Sequence, residues 1–153
     1  MEFAFRWLVV GVMSIVTVAC AGGPPAPVSL DTRADVCADC RMAVSNQAFA
    51  AQIVAPGTEP LFFDDIGCLA AYLGHHTRLP PGAIAYVADH HTGEWVAAVS
   101  ALYTRNLQIA TPLSSHVIAH ANVTNQQADP AALRGARVTT RELFMLDVPD
   151  GTR

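Results

Sequence analysis

The stretch Cys37-Ala38-Asp39-Cys40-Arg41-Met42 puts three sulfur atoms within six residues, and the rest of the chain must either deliver that loop or hold it in place. Thiolate and thioether sulfur are soft, polarisable donors, and at this spacing they suit Cu(I), which accepts two or three such ligands without a demanding geometry. Zn(II) wants four ligands, and thioether is a poor one for it. Cys-x-x-Cys alone also serves disulfide exchange, zinc knuckles and plain structural bridges. Met42, two positions beyond Cys40, tilts the choice toward Cu(I).

What precedes the loop reads as an export and anchoring segment. Residues 1–19 have the form of a signal peptide: a short start containing Arg6, an apolar run from Trp7 to Val18, then small residues before Cys20. The run is short for a membrane span. Thr17-Val18-Ala19-Cys20 resembles a lipobox, with Cys20 as the acylated residue. Ala21-Gly22-Gly23-Pro24-Pro25-Ala26-Pro27 combines glycine freedom with prolines that lack a donor, so residues 20–35 are expected to form a flexible tether. The domain is then extracytoplasmic, on the periplasmic face or the cell surface. With Cys20 acylated, Cys37, Cys40 and Cys68 remain. An exported small domain normally pairs its thiols, so an odd number leaves at least one sulfur free, metal-bound or exchanging.

The body, 36–153, is long enough for one modest core. Its positive charge comes from Arg alone, with no Lys anywhere, and the net charge of the whole chain is -4. No basic stripe is present for phosphate, so nucleic acid is an unsuitable partner. Phe49 to Ala55 and Pro60 to Phe63 read as a hairpin about the Pro56-Gly57-Thr58 turn. Asp64 and Asp65 offer a helix cap, and Ile66, Leu69, Ala70 and Leu73 recur at helical spacing, so a helix is expected from Asp65 to about Gly74. Strands follow at Ala83 to Ala88 and Glu94 to Val99. The plan repeats less clearly: a strand at Ala101 to Asn106, another at Val117 to Ala121, a helix from about Asn125 to Leu133, and a strand or short helix over Val138 to Leu146. The expected architecture is α+β: two ββαβ-like units side by side, about 36–99 and 100–148, mainly antiparallel with one helix each.

Cys-x-x-Cys-x-Met after a lipobox, Phe62-Phe63-Asp64-Asp65-Ile66-Gly67-Cys68, Ala85-Tyr86-Val87 with a Gly93-x-Trp95 turn, and Ala110-Thr111-Pro112-Leu113 together resemble NosL, the accessory lipoprotein of nitrous-oxide reductase. The resemblance covers most of the mature chain. It implies a copper-binding lipoprotein of paired ββαβ units, not an enzyme, which hands Cu(I) toward the copper sites of nitrous-oxide reductase together with a membrane transporter complex. Three positions depart from the family pattern. Arg41 stands where glycine is common, Leu113 where methionine is frequent, and His116 where glycine is often found, so the second half's share of the ligand set is open.

The candidate metal ligands are Cys37, Cys40, Met42, Cys68 and His116. Each has a plainer reading: a Cys37–Cys40 disulfide, a core Met42, or Cys68 as a small buried hydrophobe. Cys68 falls in the first turn of the expected helix, where backbone N–H groups lower a thiol pKa. His116 and His120, four apart on an expected strand, would share a face. His75-His76, at a helix end, and His90-His91, in a polar turn, read as solvated, and Asp65 as a cap rather than half of an acid/base pair. Two other functions fit the cysteines: thiol-disulfide exchange through Cys37 and Cys40, which needs the pair at a helix start after a strand, and a non-catalytic module whose cysteines staple its N-terminal segment. Cu(I) titration against a chelator and an insulin-reduction assay separate them.

Overall fold

The computed structural model describes residues 23–76 and 78–144. The leader expected at 1–19, the acylation site expected at Cys20 and the expected end of the second unit, 145–148, lie outside them. Ala51–Val54 (β1) turns through Gly57, whose φ of +71° suits glycine, into Leu61–Phe63 (β2), with Ala51 opposite Phe63 and Ile53 opposite Leu61. Every residue of β1 is buried; β1 pairs with β2 and with Ile84–Ala88 (β3) inside a sheet of order β2-β1-β3-β4, where β4 is Trp95–Ala97. Asp65 ends the β2 segment and accepts the Gly67 N–H at 2.6 Å, capping the helix Ile66–His75 (α1). This helix buries Ile66, Cys68 and Leu69. Ile84–Ala88 (β3) and Trp95–Ala97 (β4) complete the first unit, both pairings antiparallel.

Leu102–Arg105 (β5), Val117–His120 (β6) and Ala136–Val138 (β7) form the second sheet, in the order β6-β5-β7. The units share a connectivity: in each, the first strand lies between the second and third, antiparallel to both, with helix inserted before the third. The fold is α+β, as expected. The single helix expected from Asn125 to Leu133 is instead two, Val123–Ala128 (α2) and Pro130–Leu133 (α3). Pro130 has no N–H and its ring would clash with the carbonyl four residues back, so one helix stops and another starts at Asp129, its N-cap. Thr140–Phe144 (α4) follows β7.

The two sheets meet where β3 ends. Asp89 forms a parallel bridge with Ala119, and the His90 N–H donates to the Ala119 carbonyl at 2.8 Å. The buried Asp89 carboxylate then ties the seam: one oxygen accepts from the His91 and Thr92 N–H groups, the other from Ala121 N–H and Asn125 Nδ2. The segment expected to be a free tether is docked from Pro25 onward. Tyr86 Oη donates to the Pro25 carbonyl at 2.6 Å, Val28 exchanges two hydrogen bonds with the buried Gln52 amide, and Leu30 packs on the core. Prolines here leave few backbone donors to satisfy, so side chains supply the contacts. No helix among the described residues is long and apolar enough to cross a membrane.

Candidate metal centre

Residues 36–43 form a tight loop on the outer edge of β2. Val36 bridges Ala43, Cys37 bridges Phe62, and the Ala38 N–H donates to the Phe62 carbonyl at 2.8 Å. The loop closes on itself through Cys37 N–H to Met42 O at 2.8 Å and Arg41 N–H to Cys37 O at 3.1 Å. Such a closure needs a left-handed residue, and Arg41 supplies it at φ +65°, a position where glycine carries no steric penalty. Asp64 anchors the exit by accepting Ser45 N–H at 2.7 Å.

This loop faces the first turn of α1, and the three sulfur atoms of Cys37, Cys40 and Cys68 lie within 4.8 Å of one another. All three are free thiols. Cys37 and Cys68 are fully buried and Cys40 is half-buried, so Cys40 is the side from which solvent reaches the group. Burial pushes the Cys37 thiol up, but backbone hydrogen bonds from Asp64, Cys40 and Asp39 and a contact from the Cys40 thiol outweigh it, and its pKa is lowered. Cys40 is raised, first by burial and then by Cys37. Cys68 is raised strongly by burial and by the proximity of Cys37 and Cys40. The helix-start position of Cys68 therefore does not make it the thiolate; Cys37 is the first to lose its proton. One sulfur that gives up its proton more readily than its two neighbours, with both of them in reach, is a group able to hold a metal ion.

The other expected ligands fall differently. Met42 belongs to the loop through its carbonyl, and the residue is 47% exposed rather than core. His116 does not lie on β6 but precedes it, at φ +58°, with Nδ1 bonded to the Ile109 carbonyl at 2.7 Å. It shares no strand face with His120 and is not grouped with the cysteines. The loop that carries it does reach α1: Asp65 accepts Thr111 Oγ1 at 2.6 Å and Leu113 N–H at 2.9 Å. His76 stacks on Tyr72 at 3.9 Å and bonds its carbonyl.

His90 is not the solvated turn residue expected. Its Nδ1 lies 2.6 Å from Asp129 Oδ2, and the fully buried His120 brings Nε2 to 2.9 Å from the same oxygen. Burial opposes charge on Asp129, yet the two imidazoles and the Ala131 N–H lower its pKa to about 2. An ionised carboxylate only accepts, so the facing ring nitrogens are donors. The partners stand 39 and 9 residues from Asp129 in sequence, which is why reading His90 locally misses them. One signal was available: Asp129-Pro130 is a cap-plus-first-residue pair that marks a helix start.

No protein-family model, curated protein or solved structure matches this chain.

Proposed function

We propose that this chain is an exported, lipid-anchored Cu(I) carrier of the NosL type, which passes its ion to an extracytoplasmic copper enzyme such as nitrous-oxide reductase, in partnership with a membrane transporter complex. The observation that carries the proposal is the convergence of Cys37, Cys40 and Cys68 to within 4.8 Å, with no imidazole or carboxylate among the described residues joining them. An all-sulfur trio favours Cu(I), which is content with three soft donors, over Zn(II), which fills a tetrahedron. Arg41 in a left-handed turn supports the family resemblance, because that is the place where the family commonly carries glycine.

The role is carriage rather than catalysis. Cys40 is the half-buried member, so an incoming donor meets it first and can draw the ion out by ligand exchange while Cys37 and Cys68 still hold it. Thiol-disulfide exchange is less well supported: Cys37 and Cys40 occupy a bridged loop beside β2, not a helix start after a strand. The test is a titration of the reduced chain with Cu(I) against a chromophoric chelator, expected to give about one tightly held ion per chain. Binding no tighter than that of Cys40→Ser, or efficient insulin reduction by the metal-free protein, would sink the reading.

A further inference from the structure

The three cysteines are not the only donors the fold gathers. At the seam between the sheets His90, His120 and Asp129 also bring one donor atom each to within 4.8 Å of the others. We propose that His90 Nδ1, His120 Nε2 and Asp129 Oδ2 form a second metal site, for a divalent ion of borderline softness such as Zn(II) or Cu(II), independent of the sulfur group.

The three come from separate elements fixed by other bonds. His90 follows β3 and is pinned by its N–H to Ala119, His120 ends β6, and Asp129 caps α3 with Oδ1 on the Ala131 N–H, which leaves Oδ2 for the site. Two imidazole nitrogens and one carboxylate oxygen are the donor set of three-ligand zinc sites, whose fourth position takes water. The His120 and Asp129 side chains are 0% and 6% exposed, while the His90 side chain is 19% exposed and gives the path from solvent. Metal bonds of about 2.0–2.1 Å in a tetrahedron separate ligand atoms by roughly 3.3 Å. The present separations are 2.6 and 2.9 Å, so an ion fits after the two rings draw back by less than about 1 Å. In binding, the ion replaces the protons now shared between each ring and Oδ2, and each ring carries its proton on its far nitrogen instead.

That relocation sets the strength. His120 Nδ1 is buried and has no hydrogen-bond partner, so the outer-shell acceptor that normally orients a metal-bound imidazole is missing on that ring. Lack of such a partner weakens metal sites by roughly 10–100-fold. The site is therefore one of moderate affinity, in the micromolar range, suited to sensing or buffering an ion rather than locking it away.

The test is a Zn(II) titration of the reduced full chain followed by imidazole ¹⁵N NMR, which reports these rings even if zinc also visits the cysteines. His90 Nδ1 and His120 Nε2 should both move to metal-bound shifts at free Zn(II) of roughly 1–100 μM. Asp129→Asn retains a good helix cap and should raise the midpoint about tenfold or more by removing the charged ligand. Cys40→Ser should leave it where it was. Ring nitrogens unmoved at about 1 mM free Zn(II), a midpoint unaltered in Asp129→Asn, or one that follows Cys40 instead would each overturn the second site.

Discussion

The cysteine group beside β2 and the histidine group at the seam each collect three donors into the same small radius, yet they stand in opposite states of satisfaction. Asp129 Oδ2 already accepts from two rings, and its other oxygen accepts from a backbone N–H, so nearly every polar atom there is spent within the fold. The sulfurs have only one another and a few backbone donors, and thiols are weak hydrogen-bonding groups. An ion entering the first group gains bonds that nothing else was making, while at the seam it must displace two charge-assisted hydrogen bonds. Proximity of donors thus does not rank sites; what the donors already hold does.

The sharpest way to break this contrast is to remove one donor and ask which ion notices. Cys40→Ser replaces a soft thiolate by a hard hydroxyl and should weaken Cu(I) binding by about a thousandfold or more, judged by competition with a chelator. His90→Ala should leave Cu(I) affinity unchanged. If His90→Ala costs as much as Cys40→Ser, the two groups are one coupled site and the comparison fails.

The seam should in turn be the more sensitive of the two in stability. Asp89→Ala strips the acceptor from the His91, Thr92 and Ala121 N–H groups and from Asn125 Nδ2. Stranding buried donors costs about 1–3 kcal/mol apiece, and those that can rehydrate cost less, so a loss of about 3 kcal/mol in urea unfolding is expected. A change below about 1 kcal/mol would show that the carboxylate does not hold the sheets together.

Residue type and local pattern are legible in the sequence; which remote segments meet is not. Cys68 is a candidate only by residue type, family motif and its place in the first turn of the expected helix, and its approach to the loop depends on the Cys37–Phe62 bridge, whereas Cys37, Cys40 and Met42 are near neighbours that could be read from one line. His90, His120 and Asp129 could not, because pairing depends on how the second unit sits against the end of β3. Two local expectations fail. A helix over 125–133 runs Asp129-Pro130 through its interior, whereas Pro is favoured only at a helix start. The strand expected to carry His116 begins one residue later, and nothing in its neighbours shows that the turn before β6 leaves it left-handed.

Acid and alkali should find the two regions separately. The Asp129 pKa of about 2 in the folded chain lies below that of an unfolded aspartate, so its contribution is present above about pH 4 and lost as pH falls through its folded value. Asp89, lowered by its donors against the cost of burial, acts in the same direction. Cys40 and Cys68 are raised, so above roughly pH 8.5 the unfolded chain releases protons that the fold retains, and stability falls as pH rises. Cys37, lowered, offsets one of those two. Urea midpoints across pH on metal-free protein should decline on both sides. Asp129→Asn should flatten the acid side and Cys68→Ala the alkaline side; exchange of those effects would refute the assignment.

The smallest effect concerns Met42, the expected ligand on the loop that the structure does not bring into the cysteine group. Met42 shares the loop with Cys37 through its carbonyl, but the residue is 47% exposed, so holding its sulfur over an ion requires ordering a long, flexible side chain at some entropic cost. A neutral thioether also contributes less than a thiolate. Met42→Leu keeps volume and apolarity while deleting the sulfur, and should loosen Cu(I) by only about three- to tenfold, with the rate of transfer to a competing chelator rising in proportion. No change in either would reduce the centre to its three cysteines. A loss as large as that of Cys40→Ser would make Met42 an anchor and place the ion nearer the mouth of the loop than the buried pair, Cys37 and Cys68.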